Sequence, residues 1–85
     1  MTTTPLNGRA LALLRAVAAG RAELGAGREP DLRIDGLLCS DQPTAHALTH
    51  AGLVRPVREV APGQWVPAEL TPAGAQALDD LNSAA

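Results

Sequence analysis

Residues 40–70, SDQPTAHALTHAGLVRPVREVAPGQWVPAEL, decide the reading of this chain. They divide into a short helix over residues 41–51, a stop at Gly52, and two apolar-rich segments, 53–60 and 65–70. Between the segments lies Ala61-Pro62-Gly63-Gln64, a reversal signal, because proline presets the first turn angle and glycine accepts the positive φ that follows. At about 100° per residue, a helix whose buried side is centred on Leu48 places Thr44, Ala45, Ala51 and Gly52 near that side and turns Gln42, His46, Thr49 and His50 outward. Ser40 or Asp41 caps the first turn. Pro43 is tolerated there because no intrahelical acceptor awaits its missing N–H, and Gly52 ends the helix with Leu53 folded back onto it.

Upstream, Thr4-Pro5 opens a first helix that runs to about Ala19 and stops at Gly20. Leu6, Ala10, Leu13, Leu14 and Val17 form its core stripe. Ala12, Ala16 and Ala19 make the opposite side bland, either as a surface where a second copy could pair or because alanine is simply a good helix former. Residues 31–35 alternate polar and apolar, which predicts a strand with Leu32 and Ile34 inward; residues 21–24 are a candidate partner strand. Of the two, 31–35 suits better as a third strand of the later ribbon. Leu37, Leu38 and Cys39 read as one short helical turn. In the ribbon, Val66, Ala68 and Leu70 face inward against Val54 and one or both of Val57 and Val60. Pro56 and Pro67 cannot donate ladder bonds, so the pairing is short or the prolines face outward at an edge. Thr71 caps a last helix opened by Pro72, with Gly74, Ala75, Leu78 and Leu81 buried and Gln76 and Asp80 in water. Residues 1–4 and 82–85 are expected to be disordered.

The 85 residues, 46% of them hydrophobic, allow one domain, 1–85, with a single small core. Trp65 is the only aromatic residue, which argues against stacking on unpaired bases as the main activity. No apolar run approaches the roughly 20 residues that span a bilayer, and the N-terminus lacks the basic and apolar blocks of a signal peptide, so a soluble cytoplasmic protein with no membrane partner is expected. Cys39, alone, permits no internal disulfide and reads most simply as a small buried apolar residue. There is no phosphate loop, no nucleophile beside a base and no paired carboxylates in a credible pocket, so no enzyme activity is expected. His46 and His50 stand one turn apart, a spacing that can hold a metal ion with Asp41 or Cys39 as third ligand. A closed zinc site needs four good ligands, so neither a metal nor any other cofactor is assigned. Trp65 reads as a cover for the core at the root of the ribbon or as a contact point for a partner.

A net charge of −2 and a pI near 5.5 weigh against nucleic-acid binding, which rests largely on neutralising phosphates. Every basic residue is arginine, however, and Arg55 and Arg58 lie in the ribbon while Asp79 and Asp80 lie far from it, so a local basic edge is compatible with the total.

His50-Ala51-Gly52-Leu53-Val54-Arg55 followed by Leu70-Thr71-Pro72-Ala73-Gly74 resembles the "helix, Gly-Leu-Val, wing, Leu-Thr-x-x-Gly, helix" run of winged helix-turn-helix regulators of the MarR and PadR type. The likeness covers residues 40–78 well and the first helix loosely. It implies an α+β fold, a small winged helix-turn-helix domain of three or four helices with a two- or three-stranded antiparallel sheet. It also implies sequence-specific duplex DNA binding as a small transcriptional regulator, with helix 41–51 in the major groove and wing 54–70 on the backbone. By position, Ser40, Gln42 and His46, with Thr49 and His50 on the same face, would meet the groove, and Arg55, Arg58 and Gln64 would meet phosphate or the minor groove. This chain departs from that pattern in its groove-facing helix, which offers two histidines, a glutamine and a proline where several basic or hydroxyl groups are usual. It also lacks a long terminal helix for dimerisation, so a homodimer would use the first or last helix. The alternative is a winged-helix adaptor that binds protein and not DNA.

Overall fold

The computed structural model describes residues 8–84, which form three helices and a five-stranded antiparallel sheet. In chain order these are α1 (Gly8–Ala18), β1 (Ala22–Leu24), β2 (Leu32–Ile34), β3 (Leu37–Leu38), α2 (Gln42–His50), β4 (Val54–Pro56), β5 (Val66–Leu70) and α3 (Pro72–Ala84). The strand order β3-β2-β1-β5-β4 brings the two halves of the chain together at β1–β5, through Glu23↔Pro67 and Leu24↔Val66. All three helices share one core with a single face of the sheet: Ala10, Leu13, Leu14 and Val17 from α1, Ala45 and Leu48 from α2, and Ala77 from α3 pack with Ala22, Leu24, Leu32, Val54 and Ala68. The alternate residues Arg33, Glu23, Pro67, Glu69 and Arg55 occupy the other face, which no helix covers.

Glycine and threonine set the corners. Gly20 and Gly52, at φ +76° and +77°, both end helices in the same way. After α1, Arg21 N–H reaches Ala16 O and Gly20 N–H reaches Val17 O; after α2, Leu53 N–H reaches Leu48 O and Gly52 N–H reaches Thr49 O. These paired bonds satisfy carbonyls that would otherwise be orphaned. Thr71 then ties the end of α2 to the start of α3. Its N–H donates to Leu53 O, its hydroxyl donates to Gly52 O, and Gly74 N–H donates back to that hydroxyl. A Cβ at Gly74 would collide with the Leu53 carbonyl, so the Leu-Thr-x-x-Gly run is a cap plus a close approach of two backbones.

The hairpin at residues 31–39 departs most from expectation. Leu37 and Leu38 are not helical; they form β3, joined to β2 by Asp35-Gly36 with φ 54° and 81°, two successive positive values that match the twist of a two-residue hairpin. The sheet therefore has five strands, not two or three. β2 has its edges taken by β1 and β3, so the ribbon joins through β1, and residues 31–35 are not its third strand.

Smaller corrections concern the helices. Ala16 is buried, so the alanine side of α1 is interrupted and only Ala12 and Ala19 remain exposed. In α3 the buried positions are Gly74 and Ala77; Ala75 is exposed, because the stripe runs Gly74, Ala77, Leu78, Leu81 at spacings of three and four. Helix α3 continues through Ala84, and Arg15 Nη2 donates to Asn82 Oδ1 at 3.0 Å. Ala51 and Gly52 are exposed, since the chain has already turned out of the helix there. Thr4, Pro5, Leu6 and Ala85 lie outside the described residues.

Candidate functional site

The outer face of α2 is less free than its helical angles suggest. Asp41 caps the helix: Thr44 donates to it from its N–H at 3.3 Å and from its hydroxyl at 2.7 Å. The hydroxyl bond, aided by the Thr44 amide and by Arg9 at 4.0 Å, holds the Asp41 carboxyl below the usual range against partial desolvation. Gln42 does not project outward. Its Oε1 accepts from Leu32 N–H at 2.9 Å, and its Nε2 donates to Leu32 O and Cys39 O, both at 2.8 Å. A long side chain can turn back along the helix axis, and here its amide stands in for the backbone partner that β2 lacks once β3 has ended. Thr49 is half-buried and its hydroxyl donates to His46 O, so it too is turned to the protein. His46 is half-buried with Nε2 3.2 Å from Asp31 Oδ1, while His50 and Ser40 are exposed. Among the described residues no three of His, Cys, Asp and Glu are placed to hold one metal ion, and Cys39 is half-buried against the core.

On the solvent face of the sheet, arginines meet carboxylates directly across the strands. Arg33 Nε lies 2.9 Å from Glu23 Oε1, and Arg55 Nε lies 2.8 Å from Glu69 Oε2; both are register partners. Arg21 and Asp35, one step beyond Ala22↔Ile34, pair at 2.7 Å. Their mutual hydrogen bonds hold the Asp35 carboxyl below its ordinary range and push the Arg21 guanidinium above its own. Arg33 also stacks over Trp65, 4.3 Å from the ring centroid, and the indole lies against Gly25 across β1–β5. Trp65 is thus fixed on the outer face instead of covering the core. Of the expected wing contacts, Arg58 and Gln64 are exposed on the loop between β4 and β5 with no side-chain partner among the described residues, and Arg55 is taken by Glu69. The turn reads as expected: Gln64 N–H reaches Ala61 O and Gly63 has φ +80°. Two open clefts flank these elements, one of about 210 Å³ beside Trp65 and Gln64, and one of about 440 Å³ between Arg9, Leu13 and Ser40.

The sheet's two edges differ. At β4, Val57 N–H bonds inward to Pro67 O, so the alternate residue Pro56 stands at the outward position, where a docking strand would need an N–H that proline lacks. At β3 there is no such guard. Leu37 and Leu38 are 73% and 64% exposed, the most exposed large apolar side chains among the described residues. Cys39 N–H bonds inward to Leu32 O, which leaves the N–H and C=O of Leu38 directed away from the sheet. Sequence reasoning missed this edge, although Asp35-Gly36 between two apolar runs carried the hairpin signal.

Comparison with known proteins assigns nothing further. No family model matches the chain, and no curated protein or solved structure aligns with it significantly. No helix among the described residues is long and apolar enough to cross a membrane.

Proposed function

We propose that this chain is a small interaction module of winged-helix type that binds protein through the open β3 edge of its sheet. Support for the winged-helix part comes from α2, the Gly52-Leu53-Val54 exit, the β4–β5 ribbon and the Thr71-capped α3. The single observation that carries the reading is that four of the seven arginines lie against carboxylates of their own chain. A duplex binder gains affinity by offering guanidinium groups to phosphate. Here Arg21, Arg33 and Arg55 face carboxylates across the sheet, Arg9 lies beside Asp41, and Arg15 bonds Asn82. Each would have to leave a partner before it met DNA. The groove face of α2 is likewise reduced, because the amide of Gln42 is committed to the backbone of Leu32 and Cys39. Leucines on an unpaired edge strand, by contrast, are a feature that soluble folds normally blunt unless something binds there.

Two measurements test this. Fluorescence anisotropy with mixed-sequence duplex DNA at low salt is expected to show no association that weakens steeply with salt; such an association would overturn the reading. Affinity capture from lysate of the source organism after nuclease treatment is expected to retain a partner with the native chain and lose it with L37K/L38K. Retention by the double variant would remove β3 as the site. The regulator is the second reading, favoured by His50, Arg58 and Gln64, which remain uncommitted on α2 and the wing. It predicts that H50A and R58A each weaken duplex binding.

A further inference from the structure

We infer that the partner accepted at the β3 edge is a second copy of this chain, paired antiparallel about a two-fold axis that passes between the two Leu38 residues. The inference rests on the reading of β3 as an interaction edge. An antiparallel strand edge is complementary to itself, which is what a two-fold interface requires. The outward N–H and C=O belong to Leu38, so pairing Leu38 with its own copy closes two backbone hydrogen bonds at the centre.

The side chains fit the same register. Leu38 shares its face with Arg33, the solvent side of the sheet, so the two Leu38 side chains lie together there. On the other face Leu37 comes opposite the partner's Cys39, an apolar group already packed at the core's margin, and the two-fold repeats this contact. Every apolar group that β3 exposes thus gains an apolar neighbour. Further out, Asp35 with Arg21 comes beside the partner's Asp41 with Arg9. The register sets these two carboxylates opposite each other, each beside an arginine of its own chain that offsets its charge. A longer register is closed off by the turn at Gly36 on one side and by the start of α2 on the other. A contact centred on two leucines per chain is smaller than the roughly 800 Å² per partner of a standard interface, so the dimer is weak and concentration-dependent.

Sedimentation equilibrium of the full chain from micromolar to millimolar concentration is expected to show monomer and dimer, with L38K weakening the dimer at least tenfold. Circular dichroism checks that L38K remains folded, as expected for a side chain 64% exposed. In the L38C/C39S variant, paired Cα atoms about 5.5 Å apart suit a disulfide, so mild oxidant is expected to give a covalent dimer. L37C/C39S, whose cysteines lie away from the axis, is expected to give little. Monomer at every concentration, a dimer indifferent to L38K, or equal crosslinking by both cysteine variants would each overturn the self-pairing. If the chain is monomeric yet loses a captured protein on L37K/L38K, the self-pairing falls and the adaptor reading stands.

Discussion

Removing the Gln42 amide separates a structural role from a DNA-reading one. Q42A deletes one acceptor and two donors at once, opposite Leu32 N–H, Leu32 O and Cys39 O at 2.8–2.9 Å. A net protein hydrogen bond is worth about 1 kcal/mol, and water can reach this half-buried site in part, so the expected loss is about 2–3 kcal/mol. For a domain of this size that corresponds to a fall in Tm of roughly 10–20 °C. Urea and thermal unfolding followed by circular dichroism measure it, and hydrogen exchange at the Leu32 amide should accelerate in parallel. Q42E sharpens the test. Its carboxylate can still accept from Leu32 N–H but turns a second oxygen toward two carbonyls, so the folded state favours the protonated acid and raises its pKa above the unfolded value of about 4.3. The stability of Q42E relative to native is then highest below that unfolded value and falls as pH rises through the folded one. A Q42A protein within about 0.5 kcal/mol of native, with the Leu32 amide equally protected, would refute the bridging role.

Other perturbations read other parts of the structure. G74A forces a Cβ into the Leu53 carbonyl and should destabilise by about 3 kcal/mol or more in urea titration. L14A and L48A, at fully buried core positions, should each cost about 2–5 kcal/mol by the same assay. Asp35 and Asp41 both have lowered folded pKa values, so their stabilisation is present above the unfolded carboxylate pKa of about 3.9 and is lost as pH falls through the folded values. T44V removes the largest cause of the Asp41 shift; NMR titration should show that carboxyl moving up toward its ordinary value. R33A uncovers the lone indole, and Trp65 emission should shift to the red, while an unchanged spectrum would contradict the stacked arrangement.

The readable parts of this fold are those where one residue type has one physical use. The proline and glycine of the 61–64 turn, the glycine stops at Gly20 and Gly52, and the Thr71-Pro72 start of α3 all lie where expected, because φ constraints and caps are local. Residues 37–39 are ambiguous in the sequence because three apolar residues fit a helical turn or a strand equally by periodicity. The positive φ values at Asp35-Gly36 broke that tie, and this dipeptide was the available signal. Strand order was not legible. Nothing local distinguishes residues 21–24 from residues 31–35 as the ribbon's neighbour until β3 has occupied an edge of β2. Gln42 shows a different limit, since helical angle fixes where a Cβ points but not where an amide three bonds further on will find partners.

Charge gives the last step. Counted along the sequence, seven arginines against nine acids leave a basic edge near Arg55 and Arg58 open to either partner class. Once the register is known, Glu23 meets Arg33, Glu69 meets Arg55 and Asp35 meets Arg21, each across neighbouring strands on the same uncovered face. Each of these guanidinium groups lies beside a carboxylate, which offsets part of its field. The most exposed large apolar side chains among the described residues, Leu37 and Leu38, lie at one edge, and the proposed protein binding rests on them. An E23Q/E69Q double variant isolates the point. If pairing alone suppresses duplex binding, freeing Arg33 and Arg55 should create a weak, salt-sensitive association that the native chain lacks. If both proteins ignore DNA equally, the geometry of the face and not its charge excludes it.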